Sequence, residues 1–138
     1  MSDEMRRMAQ LAWGWGLRCF GEDHMFDRAV RSFRLAEEAI EAAQACNVSQ
    51  EDMHRLVDMV YARPHGDLPQ ELGGVLVTTA VLAFGHLGAS IDELLFTEIE
   101  RCLSMTPEHF AKRNLEKLAL MNKPIGVMPD VPATPGEE

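Results

Sequence analysis

The sequence predicts an all-α fold, a helical bundle of four to five helices joined by short connections. Three observations predict it. Apolar residues recur at the three- and four-residue spacing of a helix face in successive segments. Helix-start signals stand where those patterns begin: Ser49-Gln-Glu-Asp52, Ser90-Ile-Asp-Glu93 and Thr106-Pro107. Stop signals stand where they finish, at Asn47, Gly88 and Asn122 with Pro124. No segment makes a convincing strand.

Residues 1–24 are the least defined. Residues 5–17 have helical composition, but Gly14, Gly16 and Gly21 weaken it. Trp13, Trp15 and Phe20 are burial residues for the core or a partner subunit, with a stacking platform for a base as the alternative. Asp23 is placed to cap a helix over 25–46, whose apolar rhythm is Phe26, Val30, Phe33, Ala36, Ile40 and Ala43. On it Arg31 can pair with Asp27, and Arg34 with Glu37 or Glu38.

The next helix runs from Ser49 to about Ala62, with Met53, Leu56, Val57 and Val60 apolar. Residues 63–69 carry two prolines and break the pattern, as a lid or contact segment or only a connector. Residues 70–87 are apolar nearly all round, the pattern of a central, buried bundle helix. The β-branched residues and glycines of this stretch also suit a strand, and its length favours the helix. Two shorter helices follow, to about Leu103 and about Met121. One domain over 1–123 is expected, followed by a mobile tail at 124–138 with four prolines.

The chain is acidic, with net charge −9 and a pI near 5.0, which argues against a nucleic-acid polymer or an anionic membrane surface as partner. An anionic small ligand remains compatible, because a bound metal inverts the local field. Cys19, Cys46 and Cys102 are odd in number and widely spaced, which suits a reducing, cytoplasmic compartment. The N-terminus lacks a signal-type apolar core, and the longest apolar run, 75–84, is too short for a bilayer.

Glu37, Glu38 and Glu41 are the chemical focus. Their spacing puts three carboxylates on one side of one helix. A solvated acidic face is the commoner explanation; a site of hard oxygen ligands for a divalent cation is the other. With Glu71 at the start of the apolar helix the set is all carboxylate, which favours Mg²⁺ or Mn²⁺ over Zn²⁺ or a di-iron centre.

Glu37-Glu38-x-x-Glu41, followed by Glu71-x-x-Gly74-Val-Leu-Val, resembles the EExxE…ExxD pattern of the MazG-like, all-α nucleoside triphosphate pyrophosphohydrolases. The segments 31–44, Ala62-Arg-Pro64 and 70–80 resemble a MazG-like subgroup of bacteria and their phages, and the resemblance covers roughly 20–123. It implies Mg²⁺-dependent hydrolysis (Mn²⁺ being an alternative cation) of a (deoxy)nucleoside triphosphate to the monophosphate and pyrophosphate. Glu37, Glu38, Glu41 and Glu71 would ligate metal, with Glu38 and Glu41 also serving the attacking water. Lys112 and Lys117 would face phosphate oxygens; Arg34 and Arg31, by their place on the helix, offer the same contact as the alternative to their ion pairs. The resemblance further implies a homodimer or homotetramer. Gly74 departs from the pattern, because it stands where the family has its aspartate. Either fewer metal ions bind, another acid such as Asp67 substitutes, or the protein is a non-catalytic nucleotide-binding or interaction module.

Overall fold

Six helices form, one more than the upper expectation, and no strand occurs among the described residues. The structure, a computed structural model, describes residues 2–121. The helices are α1 (Asp3–Phe26), α2 (Arg28–Ala45), α3 (Gln50–Tyr61), α4 (Leu68–Leu87), α5 (Ile91–Leu103) and α6 (Pro107–Leu120). The expected mobile tail lies outside the described residues.

The additional helix is α1. The Ser2 side chain caps it by accepting from the Met5 N–H at 3.2 Å. Asp3 and Glu4 compensate the dipole in its first turn. Its glycines, which weakened the helical pattern, serve tertiary structure instead. Gly16 is buried, and the Met25 side chain fills the space a Cβ there would need. Gly21 takes φ 73°, ψ 168°, a conformation that favours glycine, and kinks the helix. Its last turn includes Met25 and Phe26, so α2 begins at Arg28 rather than Met25. The cap of α2 is accordingly Asp27, not Asp23: its Oδ1 accepts from the Val30 N–H at 3.1 Å.

The other boundaries follow local chemistry. Asn47 takes φ 63° just beyond α2. Ser49 caps α3, accepting from the Asp52 N–H at 3.1 Å. Asp67 caps α4, accepting from the Gln70 N–H at 3.4 Å. Gly88 ends α4 in the left-handed region at φ 62°, its N–H directed at the Ala83 and Phe84 carbonyls. Thr106 caps α6 through the His109 N–H.

The chain divides into two units, 1–32 with 92–138 and 33–91. In the first, α1 packs along α6, the one extensive helix pairing among the described residues. Its core holds Cys19, Phe20, Met25 and Phe110, with Trp15, Leu17, Cys102 and Met105 packed against it. The Trp15 ring meets Phe20 and Phe110 edge-on, with centroids 5.5 and 4.9 Å away, so this tryptophan is a packing residue.

The second unit comprises the rest of α2, all of α3 and α4, and their connections. Within it only Ala83 is buried. The expectation that 70–87 is a buried central helix is therefore corrected for the single chain. Its Val81 is 68% exposed and its Phe84 76%. The physical reason is that, among the described residues of its own unit, α2 and α3 leave most of α4 uncovered. The helix is also longer than the apolar run 75–84 within it: at 20 residues it is long and apolar enough, by length and composition, to cross a membrane.

Candidate functional site

The three glutamates of α2 lie beside Arg34, three and four residues before the first two. The Arg34 guanidinium pairs with Glu37, whose side chain is 21% exposed, and reaches Glu38 at 3.7 Å, whose side chain is 66% exposed. Glu37 is thus held along the helix while Glu38 stands open. Glu41 is exposed one turn further on. Surface pairs of this kind contribute about 0–1 kcal/mol, so a stronger cation could displace Arg34.

Glu71 lies in the first turn of α4, and its carboxylate folds back over Gly66, where a Cβ would collide with it. There it borders a recess of about 320 Å³ between the end of α3 and the start of α4, lined also by Tyr61, Arg63, Pro64 and His65. Arg63 and His65 set hydrogen-bond donors beside an acid. Sequence reasoning singled out residues 63–69 as a segment, and Ala62-Arg-Pro64 within the resemblance, but gave Arg63 and His65 no role beside Glu71. Asp67, the acid considered as a substitute for the missing aspartate, is engaged as the cap of α4. At Gly74 nothing stands within 4 Å of where a Cβ would be, so packing within the chain does not require glycine there.

The four glutamates belong to the second unit, whereas Lys112 and Lys117 lie on α6 in the first. Lys112 is exposed and Lys117 half-buried. The donor set on α2 and α4 has the chemistry of a hard-cation site, yet among the described residues no group of three or more His, Cys, Asp or Glu is gathered to hold a metal ion. Glu37, Glu38, Glu41 and Glu71 supply the hard oxygen donors that such a cation takes, and they would be the residues to hold it.

A polar cluster in the first unit also escaped sequence reasoning. Asn114 of α6 is 1% exposed, accepts from Arg31 Nη2 at 3.1 Å and contacts His24 Nδ1 at 2.9 Å. Arginine only donates, so the Asn114 oxygen faces Arg31 and its amide nitrogen donates to His24. The Arg31 guanidinium also lies 4.5 Å from the centroid of the Phe20 ring. These partners are 83 and 90 residues from Asn114, beyond any local pattern. The arrangement ties the end of α1 and the start of α2 to α6.

All three cysteines are free thiols. Burial pushes the Cys19 thiol up to about 11. No family model matches the chain, and neither does any curated protein or solved structure.

Proposed function

We propose that the chain is a metal-dependent nucleoside triphosphate pyrophosphohydrolase of the MazG-like kind, cutting the α–β phosphoanhydride of a (deoxy)nucleoside triphosphate to leave the monophosphate and pyrophosphate. One observation carries the proposal: Glu37, Glu38 and Glu41 share one side of α2, in the same unit as a Glu71 that borders a recess with Arg63 and His65. Hard carboxylate oxygens beside phosphate-binding donors are the side-chain types this hydrolysis needs. The enzyme would act in the cytoplasm, with Mg²⁺ or Mn²⁺ and as a dimer or tetramer. Arg34, which pairs with Glu37 and reaches Glu38, is the proposed phosphate contact of this unit.

Pyrophosphate release over canonical and modified nucleotides, with Mg²⁺ and with Mn²⁺, tests the proposal. Release is expected with at least one nucleotide, is lost on chelation, and falls by ~100-fold or more in Glu38→Gln. Release undiminished in that variant would remove Glu38 from the site. The space around Gly74 favours a second reading, a non-catalytic nucleotide-binding or interaction module. A carboxylate could stand at position 74 without a clash in the chain, so its absence there is a chemical difference and not a packing one. Calorimetric nucleotide binding without turnover under both cations would select this second reading.

A further inference from the structure

On α2, Glu37, Ile40, Glu41 and Gln44 follow one another at three- and four-residue spacing, so they form one continuous stripe. Past Glu41 the stripe runs into a groove of about 430 Å³ between α2 and α3. Ile40, Met53 and Val57 give the groove apolar walls, and Gln44, Gln50 and His54 set two carboxamides and an imidazole among them. None of its lining residues is a carboxylate, a lysine or an arginine. Small-molecule sites have this make-up, a few polar groups on apolar walls and a volume of ~300–1,000 Å³. The whole groove lies in the second unit, as do the acids of the proposed site.

We infer that this groove seats the nucleobase of the triphosphate, with Gln44 as the residue that reads the edge of the base. The groove's role rests on the proposed pyrophosphohydrolase activity, which supplies the substrate. Charge divides the nucleotide along the stripe. Its phosphates call for Arg34 and for a cation on the glutamates, all at the Glu37–Glu41 end. Its base is a planar, uncharged ring with apolar faces and an edge of hydrogen-bond donors and acceptors. Such a ring enters the groove without stranding an ion, whereas a phosphate there would lose hydration with no lysine or arginine to offset it. Ile40 and Val57 offer the ring faces an apolar surface, and the polarisable Met53 thioether suits a π-system. A carboxamide sets a donor beside an acceptor, the match for neighbouring groups on a base edge. Gln44 stands three residues beyond Glu41, ~4.5 Å of helix rise, a step that one sugar spans.

The test uses the full chain. Calorimetry with free nucleosides, in the absence of metal, reads the groove apart from the carboxylates, and at least one nucleoside should bind. Met53→Glu, which sets a charge in the wall, should weaken that binding by ~10-fold or more. Gln44→Leu keeps helix propensity and apolar contact, and should narrow the preference among bases by ~10-fold. With triphosphates and Mg²⁺, both variants should raise KM by a larger factor than they lower kcat. An unchanged helical signal shows that each variant is folded. A wild-type chain that binds no nucleoside at millimolar concentration overturns the inference. Pyrophosphate release with wild-type KM and base preference in both variants also overturns it, and leaves the pyrophosphohydrolase standing. Nucleoside binding that both variants alter, in a chain that releases no pyrophosphate, upholds the groove and removes the hydrolase.

Discussion

Replacing Asn114 by leucine keeps the branching and the number of side-chain heavy atoms while removing two hydrogen bonds. Asn114 is 1% exposed; its oxygen accepts from Arg31 Nη2 at 3.1 Å and its amide donates to His24 Nδ1 at 2.9 Å. A hydrogen bond to a charged group contributes about 1.5–3 kcal/mol and a neutral one about 1 kcal/mol. With no large cavity created, Asn114→Leu should cost ~3 kcal/mol, a large part of the stability of an ordinary domain. Asn114→Asp keeps the acceptor for Arg31 and gives up only the donor to His24, so its loss should be nearer ~1 kcal/mol. Urea titration followed by tryptophan emission reads this unit, because Trp15 packs on Phe20 and Phe110 in the same core. The midpoint should fall with an unchanged slope. A loss below ~0.5 kcal/mol for Asn114→Leu, or a larger loss for the aspartate than for the leucine, would refute the account of Asn114 as the polar tie between α6 and the α1–α2 junction.

Four further predictions concern position 74, Cys19 and the α6 cap. Under the proposed function, Gly74→Asp introduces a carboxylate at an unobstructed helix position and should raise Mg²⁺ affinity, read by calorimetry, without lowering the helical signal; weaker or unchanged Mg²⁺ binding would separate position 74 from any cation site. Cys19 should resist alkylation at neutral pH while the exposed Cys46 reacts, since burial holds the Cys19 proton up to about pH 11. Because its folded value is raised above the ordinary 9.0, the unfolded chain releases this proton first; stability should be unaffected below pH 9 and decline above it by up to ~1.4 kcal/mol per pH unit until about pH 11, as checked by denaturation against pH. Thr106→Ala removes the acceptor that caps α6 at the His109 N–H and should cost ~1 kcal/mol in thermal unfolding, with an unchanged Tm counting against the cap.

Most helix boundaries were legible because they are local. Ser49, Thr106, Asn47 and Gly88 act on backbone groups a few residues away, and each does so in the structure. The boundary between α1 and α2 was less legible. Asp23 and Asp27 are both good caps by type, and the choice fell to Asp27 where Gly21 kinks the chain and the turn through Met25 packs onto Gly16. The acidic side of α2 was likewise visible from spacing alone, and so was its pairing with Arg34. The recess around Glu71 depends on how one connection folds back over its helix, which spacing does not record.

By itself, the sequence determined that the chain is helical, where most helices start and stop, and that Glu37, Glu38 and Glu41 share a side. These follow from backbone capping and the 3.6-residue repeat, which act within a few residues. Tertiary structure alone decided which apolar faces are covered. Apolarity shows that a face needs burying, but not which surface buries it, since the hydrophobic effect is non-directional. Thus α1, with its glycines, is an integral part of a core with α6, whereas α4, the most apolar helix by pattern, has only Ala83 buried in a single chain.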